Sequence, residues 1–318
     1  MEHNNNTTSI RKRDTIAVLI PCFNEATTID KVIDDIKKVM STDTTIYVYD
    51  NNSTDDTERI ARQAGAVVRQ EPRQGKGNVL QTMFRDIDAD CYVIIDGDDT
   101  YSVEKLPYMC KRVLDGGVDM VIGDRMSTTY MNENKRPYHT IGNKMVRYII
   151  NSLFNGNITD IMSGCRALSR NFVKNLPILK TGFEIETEIT IYALYRNYVI
   201  EQVPITYRNR PEDSHSKLNT FHDGFKVIKT ILTLFVVYRP LLFFSSIALL
   251  LVAVASIALF PVFIEYFHTG LVPRFPTLFV GCAVIIMAML LFICGIILEV
   301  ANLRHRQIIE LLSKMPKY

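Results

Sequence analysis

The sequence predicts an α/β domain, with a mostly parallel sheet covered by helices on both faces, followed by a membrane-spanning helical hairpin. Three observations carry this. Short β-branched runs alternate with amphipathic stretches from Thr15 to Ile122, and polar clusters stand at the ends of those runs. Charge then vanishes near the C-terminus. Between Pro240 and Leu298 the only Asp, Glu, Lys or Arg residues among 59 positions are Glu265 and Arg274. The other 259 residues hold the remaining 68 of 70 such charges, so one chain carries two different solvent requirements.

Taken in order, Thr15 to Ile20 reads as a strand and Thr27 to Met40 as a helix. Strand Ile46 to Tyr49, helix Asp55 to Ala64 and the short strand Ala66 to Arg69 come next. Helix Lys76 to Ile87 leads to strand Cys91 to Ile95, helix Val103 to Leu114 and strand Asp119 to Ile122. Farther along, Gly182 to Glu188 opens a helix with acids at alternate positions, which favours the dipole of a first turn.

The apolar stretches Leu241 to Ile264 and Thr277 to Leu298 each exceed 20 residues, enough to cross a hydrocarbon core of about 30 Å. The 12-residue linker between them makes the pair a hairpin. Basic residues flank its outer ends: Lys226, Lys229 and Arg239 before, then Arg304, Arg306, Lys314 and Lys317 after, against Arg274 alone in the linker. Positive-inside counting places both ends in the cytoplasm. Ahead of the hairpin, Phe221 to Tyr238 is helix-like, with Phe225, Ile228, Leu232 and Phe235 on one stripe. An interfacial helix and a helix packed on the domain both fit that stripe. The apolar hairpin could face lipid or a second copy of itself, so a homo-oligomer is within expectation.

Composition excludes several classes. A net charge of +2 gives no nucleic-acid footprint. The six cysteines form no Cys-x-x-Cys pair, which argues against a disulfide framework or a zinc site. Met1 to Arg13 has no apolar run of the kind a secretory signal carries, so the soluble part is expected in the cytoplasm.

In a parallel sheet, ligands bind at the carboxyl ends of the strands. Five polar clusters fall there in succession: Pro21-Cys22-Phe23-Asn24-Glu25, Asp50 to Asp56, Arg69 with Gln74-Gly75-Lys76-Gly77, Asp96-Gly97-Asp98-Asp99, and Gly123-Asp124-Arg125. Asp96 and Asp98 can present two carboxylates to one hard cation, Mg2+ or Mn2+, although Asp98, Asp99 or Ser102 could instead cap the next helix. Gly75-Lys76-Gly77 opens a helix and suits backbone contacts to phosphate, or is a flexible turn.

These residues resemble a known family. Pro-x-x-Asn-Glu after the first strand, Asp50-Asn51-Asn52-Ser53-Thr54-Asp55 and the Asp96-Gly97-Asp98 pair are similar to the signature of family 2 inverting glycosyltransferases with the GT-A fold. Asp160 to Arg166, Val203 to Tyr207, Arg210 and Ser216-Lys217-Leu218 resemble the polyprenyl-phosphate glycosyltransferases, the dolichyl-phosphate mannose synthase group. The C-terminal hairpin resembles the bacterial members that charge undecaprenyl phosphate. The resemblance implies nucleotide contacts at Pro21, Phe23, Glu25, Asp50, Lys76 and Asp96, and a cation on Asp96 and Asp98. It implies phosphate-binding cations at Arg125 and Arg136, and acceptor or diphosphate contacts at Arg210, Ser216 and Lys217. Asp160 becomes a candidate base, an orienting group for the nucleophile, or a brace for the Ser163-Gly164 turn. Glu184 or Glu186 would lie near the sugar. Phe23 stands where Tyr is commoner and His215 where Gly is frequent.

The division of the chain implied is a disordered tail at 1–13, a GT-A domain at 14–220, a juxtamembrane amphipathic helix at 221–239, a hairpin at 240–299 and a basic cytoplasmic tail at 300–318. The implied reaction is in-line displacement, with inversion, by a lipid phosphate on a nucleotide sugar, UDP favoured, at the cell membrane. Alternatives are a glycan or glycerolipid acceptor, a nucleotidyltransferase, or a non-catalytic nucleotide-sugar-binding protein. Ile16 to Ala26 lacks the Gly-rich loop usual in nucleotidyltransferases, and the absence of Trp removes the Gln-x-x-Arg-Trp motif of processive synthases.

Overall fold

The computed structural model describes residues 14–127, 137–208 and 220–313. It divides into two compact units, residues 1–231 and 232–318. The first is built on a seven-stranded sheet in the order β3-β2-β1-β4-β6-β5-β7. Its strands are β1 (Ile16–Cys22), β2 (Thr44–Asp50), β3 (Val67–Gln70), β4 (Cys91–Ile94), β5 (Met120–Asp124), β6 (Arg166–Ser169) and β7 (Ile200–Pro204). Between them run α1 (Ile29–Val39), α2 (Thr57–Gln63), α3 (Lys76–Asp86), α4 (Leu106–Leu114), α5 (Pro137–Phe154), α6 (Arg170–Asn175) and α7 (Ile185–Tyr195). The strands and helices predicted up to Ile122 are all present, displaced by up to three residues at their ends.

β1 is central and almost wholly buried, as a near-continuous apolar run in a parallel sheet must be. Val18, Ile20 and Cys22 of β1 share one core with Ile29, Val32, Ile33 and Ile36 of α1 and with Leu106, Met109 and Val113 of α4. These helix positions recur at three and four residues, which places them on one face. From β1 the chain builds outward through β2 to β3, then returns to place β4 on the opposite side of β1. That reversal opens a crevice beyond the carboxyl ends of β1 and β4.

The alternation did not foresee β6. It runs antiparallel between β4 and β5, with Arg166 opposite both Ile94 and Ile122. The start of β6 therefore meets the carboxyl ends of its neighbours, and the 160–165 turn arrives at the same edge as the five predicted clusters. β7 pairs parallel with β5, ending opposite Asp124, and brings 205–208 there too.

The helix predicted before the hairpin is α8 (Thr220–Tyr238). Its buried positions are Val227, Thr230, Ile231, Leu234 and Tyr238. Of the stripe expected from the sequence, Phe225 is 68% and Leu232 53% exposed, so the helix is apolar on two faces and packs with one. The second unit contains α9 (Pro240–Thr269) and α10 (Phe275–Ser313), both long and apolar enough to cross a membrane, each with a mean hydropathy of 2.9 over its most apolar stretch. Both outrun their predicted spans. α9 continues through Glu265 to a left-handed Gly270, leaving a connection of only residues 270–274. Glu265 and Arg274, the two charges of the apolar stretch, pair at 3.2 Å. α10 continues through most of the predicted tail, to Ser313. All six cysteines are free thiols.

Candidate active site

The loops after β1, β2 and β3 are bolted together by side chains that bond to backbone. Asn24, at φ 54°, accepts the Thr54 amide on Oδ1 at 2.7 Å, and its own amide donates to Ser53 Oγ at 2.9 Å. The Glu25 amide donates to Thr57 Oγ1 at 2.8 Å. Asn51 Nδ2 donates to the carbonyls of Glu71 and Arg73, both at 2.8 Å, while its Oδ1 accepts the Gly75 amide at 2.7 Å. Asparagine suits this work because its amide donates and accepts at once. Asp50 is buried at the end of β2; its Oδ2 accepts the Ser53 amide at 3.0 Å, and its Oδ1 has no hydrogen-bond partner among the described residues. A buried carboxylate oxygen without a donor is costly, and a ligand N–H or O–H would satisfy it. Pro21 and Phe23 are half-buried on the same loop edge, beside the buried Glu25.

Gly75-Lys76-Gly77 turns out to be a packing device. Gly75 lies at φ 126°, and a Cβ on either glycine would strike the carbonyls of Lys180 or Thr181. The Gly77 amide donates to Thr181 O at 2.9 Å, so two of the three amides expected to face phosphate are already engaged. The opposing strip is held in turn by buried Glu188, which accepts the amides of Leu179 and Lys180 at 3.1 and 2.9 Å. Lys76 is left pointing inward. Its Nζ bridges Asp96 Oδ1 and Glu186 Oε1, each at 2.5 Å. Burial alone would lower its pKa, but the two carboxylates outweigh burial and hold it above the usual lysine range.

Asp96 and Asp98 follow β4 as predicted. Asp98 Oδ1 accepts the Thr100 amide and hydroxyl at 3.2 and 2.6 Å, so the loop uses it to cap its own turn. Asp96 Oδ2 lies against Gly164, where a Cβ would clash with the carboxylate. Asp99, at φ 55°, pairs with Lys31 and with Arg208, the latter at 3.7 Å. The donor set suits a hard cation. Among the described residues no three His, Cys, Asp or Glu side chains stand close enough to hold an ion alone, so diphosphate oxygens or water would complete the shell.

Arg125 and Asp160 form one bidentate pair, Nε to Oδ2 at 2.7 Å and Nη2 to Oδ1 at 2.8 Å, with the Arg125 amide adding a third bond at 3.1 Å. Both are buried. Burial would raise the Asp160 carboxyl, but the Arg125 guanidinium outweighs it and holds the pKa below the ordinary carboxylate range. Arg125 also lies over the rings of Tyr101 and Tyr207, 5.8 and 5.3 Å from their centroids. The 160–164 turn is braced by Arg166, which donates to the carbonyls of Ser163 and Ile161 at 2.9 and 2.6 Å and to Thr190 Oγ1 at 2.9 Å. Burial pulls the Arg166 pKa down to about 10.

Thus Glu25, Asp50, Lys76, Asp96, Asp98, Arg125 and Asp160 all stand at the carboxyl edge of the sheet. Arg136, Arg210, Ser216 and Lys217 lie outside the described residues. Tyr101 was missed by sequence reasoning: an aromatic five residues beyond an aspartate carries no signal. The Lys76–Glu186 contact joins positions 110 residues apart, and no spacing could announce it.

A seven-stranded mixed sheet with carboxylates and cations gathered at its switch point is the architecture of the GT-A glycosyltransferases. Residues 17–176 match the glycosyl transferase family 2 domain, and the chain belongs to that family. It is 32% identical over 220 residues to a dolichyl-phosphate hexose transferase of Haloferax volcanii, covering 69% of this chain and 92% of that one. It is 31% identical over 235 residues to the glycosyltransferase AglJ of the same archaeon, covering 74% and 76%. Among solved structures it is similar to glucosyl-3-phosphoglycerate synthase from Mycobacterium tuberculosis in complex with Mn2+, UDP and phosphoglyceric acid, with a TM-score of 0.56 and 26% identity over 70% of this chain and 78% of that one.

Proposed function

We propose that this glycosyltransferase transfers a hexose, with inversion, from a nucleoside-diphosphate sugar to polyprenyl phosphate at the cytoplasmic face of the cell membrane, with UDP the favoured nucleotide. The observation that carries the reading is the union in one chain of a GT-A carboxyl edge with two helices of membrane-spanning length. A water-soluble donor gives no reason for such helices, whereas a polyprenyl acceptor is anchored in the bilayer that they are long enough to cross. The dolichyl-phosphate hexose transferase relative and the UDP complex of the mycobacterial synthase support the two halves of this reading.

In this reading Pro21, Phe23, Glu25 and Asp50 face the nucleotide, and Asp50 Oδ1, without a partner among the described residues, receives a donor from its base or ribose. Asp96 and Asp98 hold Mg2+ or Mn2+, which when bound neutralises charge on the departing diphosphate. Lys76 fixes the Asp96 carboxylate beside the nucleotide. Arg125 and Arg136 serve the phosphates, and Arg210, Ser216 and Lys217 serve the acceptor. A phosphate monoester has its second pKa at about 6 and is already a dianion near neutrality, so no strong base is required. Asp160 suits that chemistry: as an ion-paired carboxylate with a depressed pKa it is a poor base, and it orients Arg125 instead. Catalysis then rests on positioning and on preorganised positive charge.

The test is a panel of UDP- and GDP-sugars offered with undecaprenyl phosphate to the full chain in detergent, with the product mass recorded. A polyprenyl-phosphate hexose released together with a nucleoside diphosphate is expected, and Asp96→Ala should abolish it. Formation of pyrophosphate, or transfer to diacylglycerol alone, would sink the proposal.

A further inference from the structure

Tyr101 belongs to no motif, yet it touches both Arg125 and the Gly164 turn. It is 4% exposed and sits just beyond the acidic loop. Its Oη accepts the Gly164 amide at 2.7 Å, and Gly164 is the residue whose missing side chain makes room for the Asp96 carboxylate. Its ring lies 5.8 Å from the Arg125 guanidinium carbon. Tyr207 joins Tyr101 through an antiparallel bridge, packs against it edge to face at 5.4 Å, and offers Arg125 a second ring at 5.3 Å. The backbone is pinned on both sides of this pair, Ser102 N to Thr206 O at 3.1 Å and Arg208 N to Thr100 O at 2.8 Å.

Asp160 binds Arg125 along one edge of the guanidinium. Two aromatic faces attract the same cation, and Tyr101 is also bonded to the Gly164 turn, which lies against the Asp96 carboxylate. We propose that Tyr101, supported by Tyr207, is a positioning residue that fixes the Arg125 guanidinium and the Gly164 turn in register with Asp96, so that cation and carboxylate engage one nucleoside diphosphate together. This rests on the reading of the site as a nucleoside-diphosphate-sugar site, but not on the identity of the sugar or the acceptor.

The experiment measures UDP affinity by calorimetry in the presence of Mn2+, donor KM and kcat, and melting temperature, on the full chain in detergent. Tyr101→Phe keeps the ring but gives up the bond to the Gly164 amide and should weaken the UDP Kd about 3-fold, whereas Tyr101→Leu gives up both and should weaken it about 10-fold and lower kcat by more than that. In an Arg125→Gln background there is no guanidinium left to position, so adding Tyr101→Leu should move the Kd by no more than about 3-fold, the share of the Gly164 bond. A purely structural Tyr101 would lower the melting temperature and leave UDP affinity alone; that result, or equal losses in Phe and Leu, or a further 10-fold loss in the Gln background, overturns the proposal. If Tyr101→Leu does not fold, Tyr207→Leu replaces it, with the same weakening expected. Failure of the parent to glycosylate polyprenyl phosphate would remove the acceptor assignment and leave the UDP comparison standing. Failure of the parent to bind UDP or GDP at all would remove the donor reading, and this proposal with it.

Discussion

Buried charge decides most of what single residues do in this site. Asp160 is the clearest case, because a carboxylate that the sequence leaves open as a base, an orienting group or a brace for the Ser163-Gly164 turn is half of an ion pair in the structure. Removing one member of a buried pair strands the other, so Asp160→Asn should cost about 3 kcal/mol in urea unfolding and reduce turnover in parallel. A variant as stable as the parent but without turnover would return Asp160 to the role of base. Lys76 makes a second case. Lys76→Met leaves Asp96 and Glu186 without their shared cation, and melting curves should show a loss of about 3 kcal/mol, part of which returns when Glu186→Gln is added. Glu71 gives a pH signature outside the site. Its bonds to Arg73 outweigh the cost of burying it, and with Thr82 they hold its pKa down to about 2. A depressed carboxylate contributes stability that is complete above its ordinary value of 4.5 and is lost as pH falls from there towards about 2. Arg73 is half exposed, so water screens the pair and the contribution is about 1 kcal/mol. The gap in unfolding free energy between Glu71→Gln and the parent should be present at pH 7 and shrink at pH 3, and a gap of constant size would refute the assignment.

At the scale of elements, the site is made by strand order. The early alternation of strands and helices was legible because β-branched runs and apolar positions at three- and four-residue spacing are local signals. β6 was not, since its four residues carry no alternation and its direction is set by neighbours far away in sequence. That antiparallel strand brings Gly164 to Asp96 and Asp160 to Arg125. The start of α3 shows the same dependence: its glycines look like a phosphate loop, and tertiary packing on Lys180 and Thr181 is what demands them. Gly77→Ala should therefore cost about 1–3 kcal/mol in thermal unfolding and shift α3 away from that strip, whereas a neutral effect would restore the flexible-turn reading.

For the whole molecule, the division between charged and uncharged sequence coincides with the division into units to within ten residues. The proposed topology puts residues 14–208 in the cytoplasm and the 270–274 connection outside. Cys110 is buried and would resist labelling on either side of a membrane. Single-cysteine reporters are better placed at exposed Glu104 and Arg274. Arg274→Cys should react with an impermeant maleimide on intact cells and Glu104→Cys only after lysis; the reverse pattern would invert the orientation.

What the sequence determined by itself was the kind of matter each segment is: strand, helix, apolar span, and the residue types waiting at strand ends. Those properties follow from neighbours within a few positions, where periodicity and charge density are visible. Only the tertiary structure decided which of those residues meet. It paired Lys76 with Glu186 and Arg125 with Asp160, and set Tyr101 between Arg125 and Gly164. Such contacts are fixed by strand order and by the exclusion of water from buried charge, and neither is written in any local stretch of the chain.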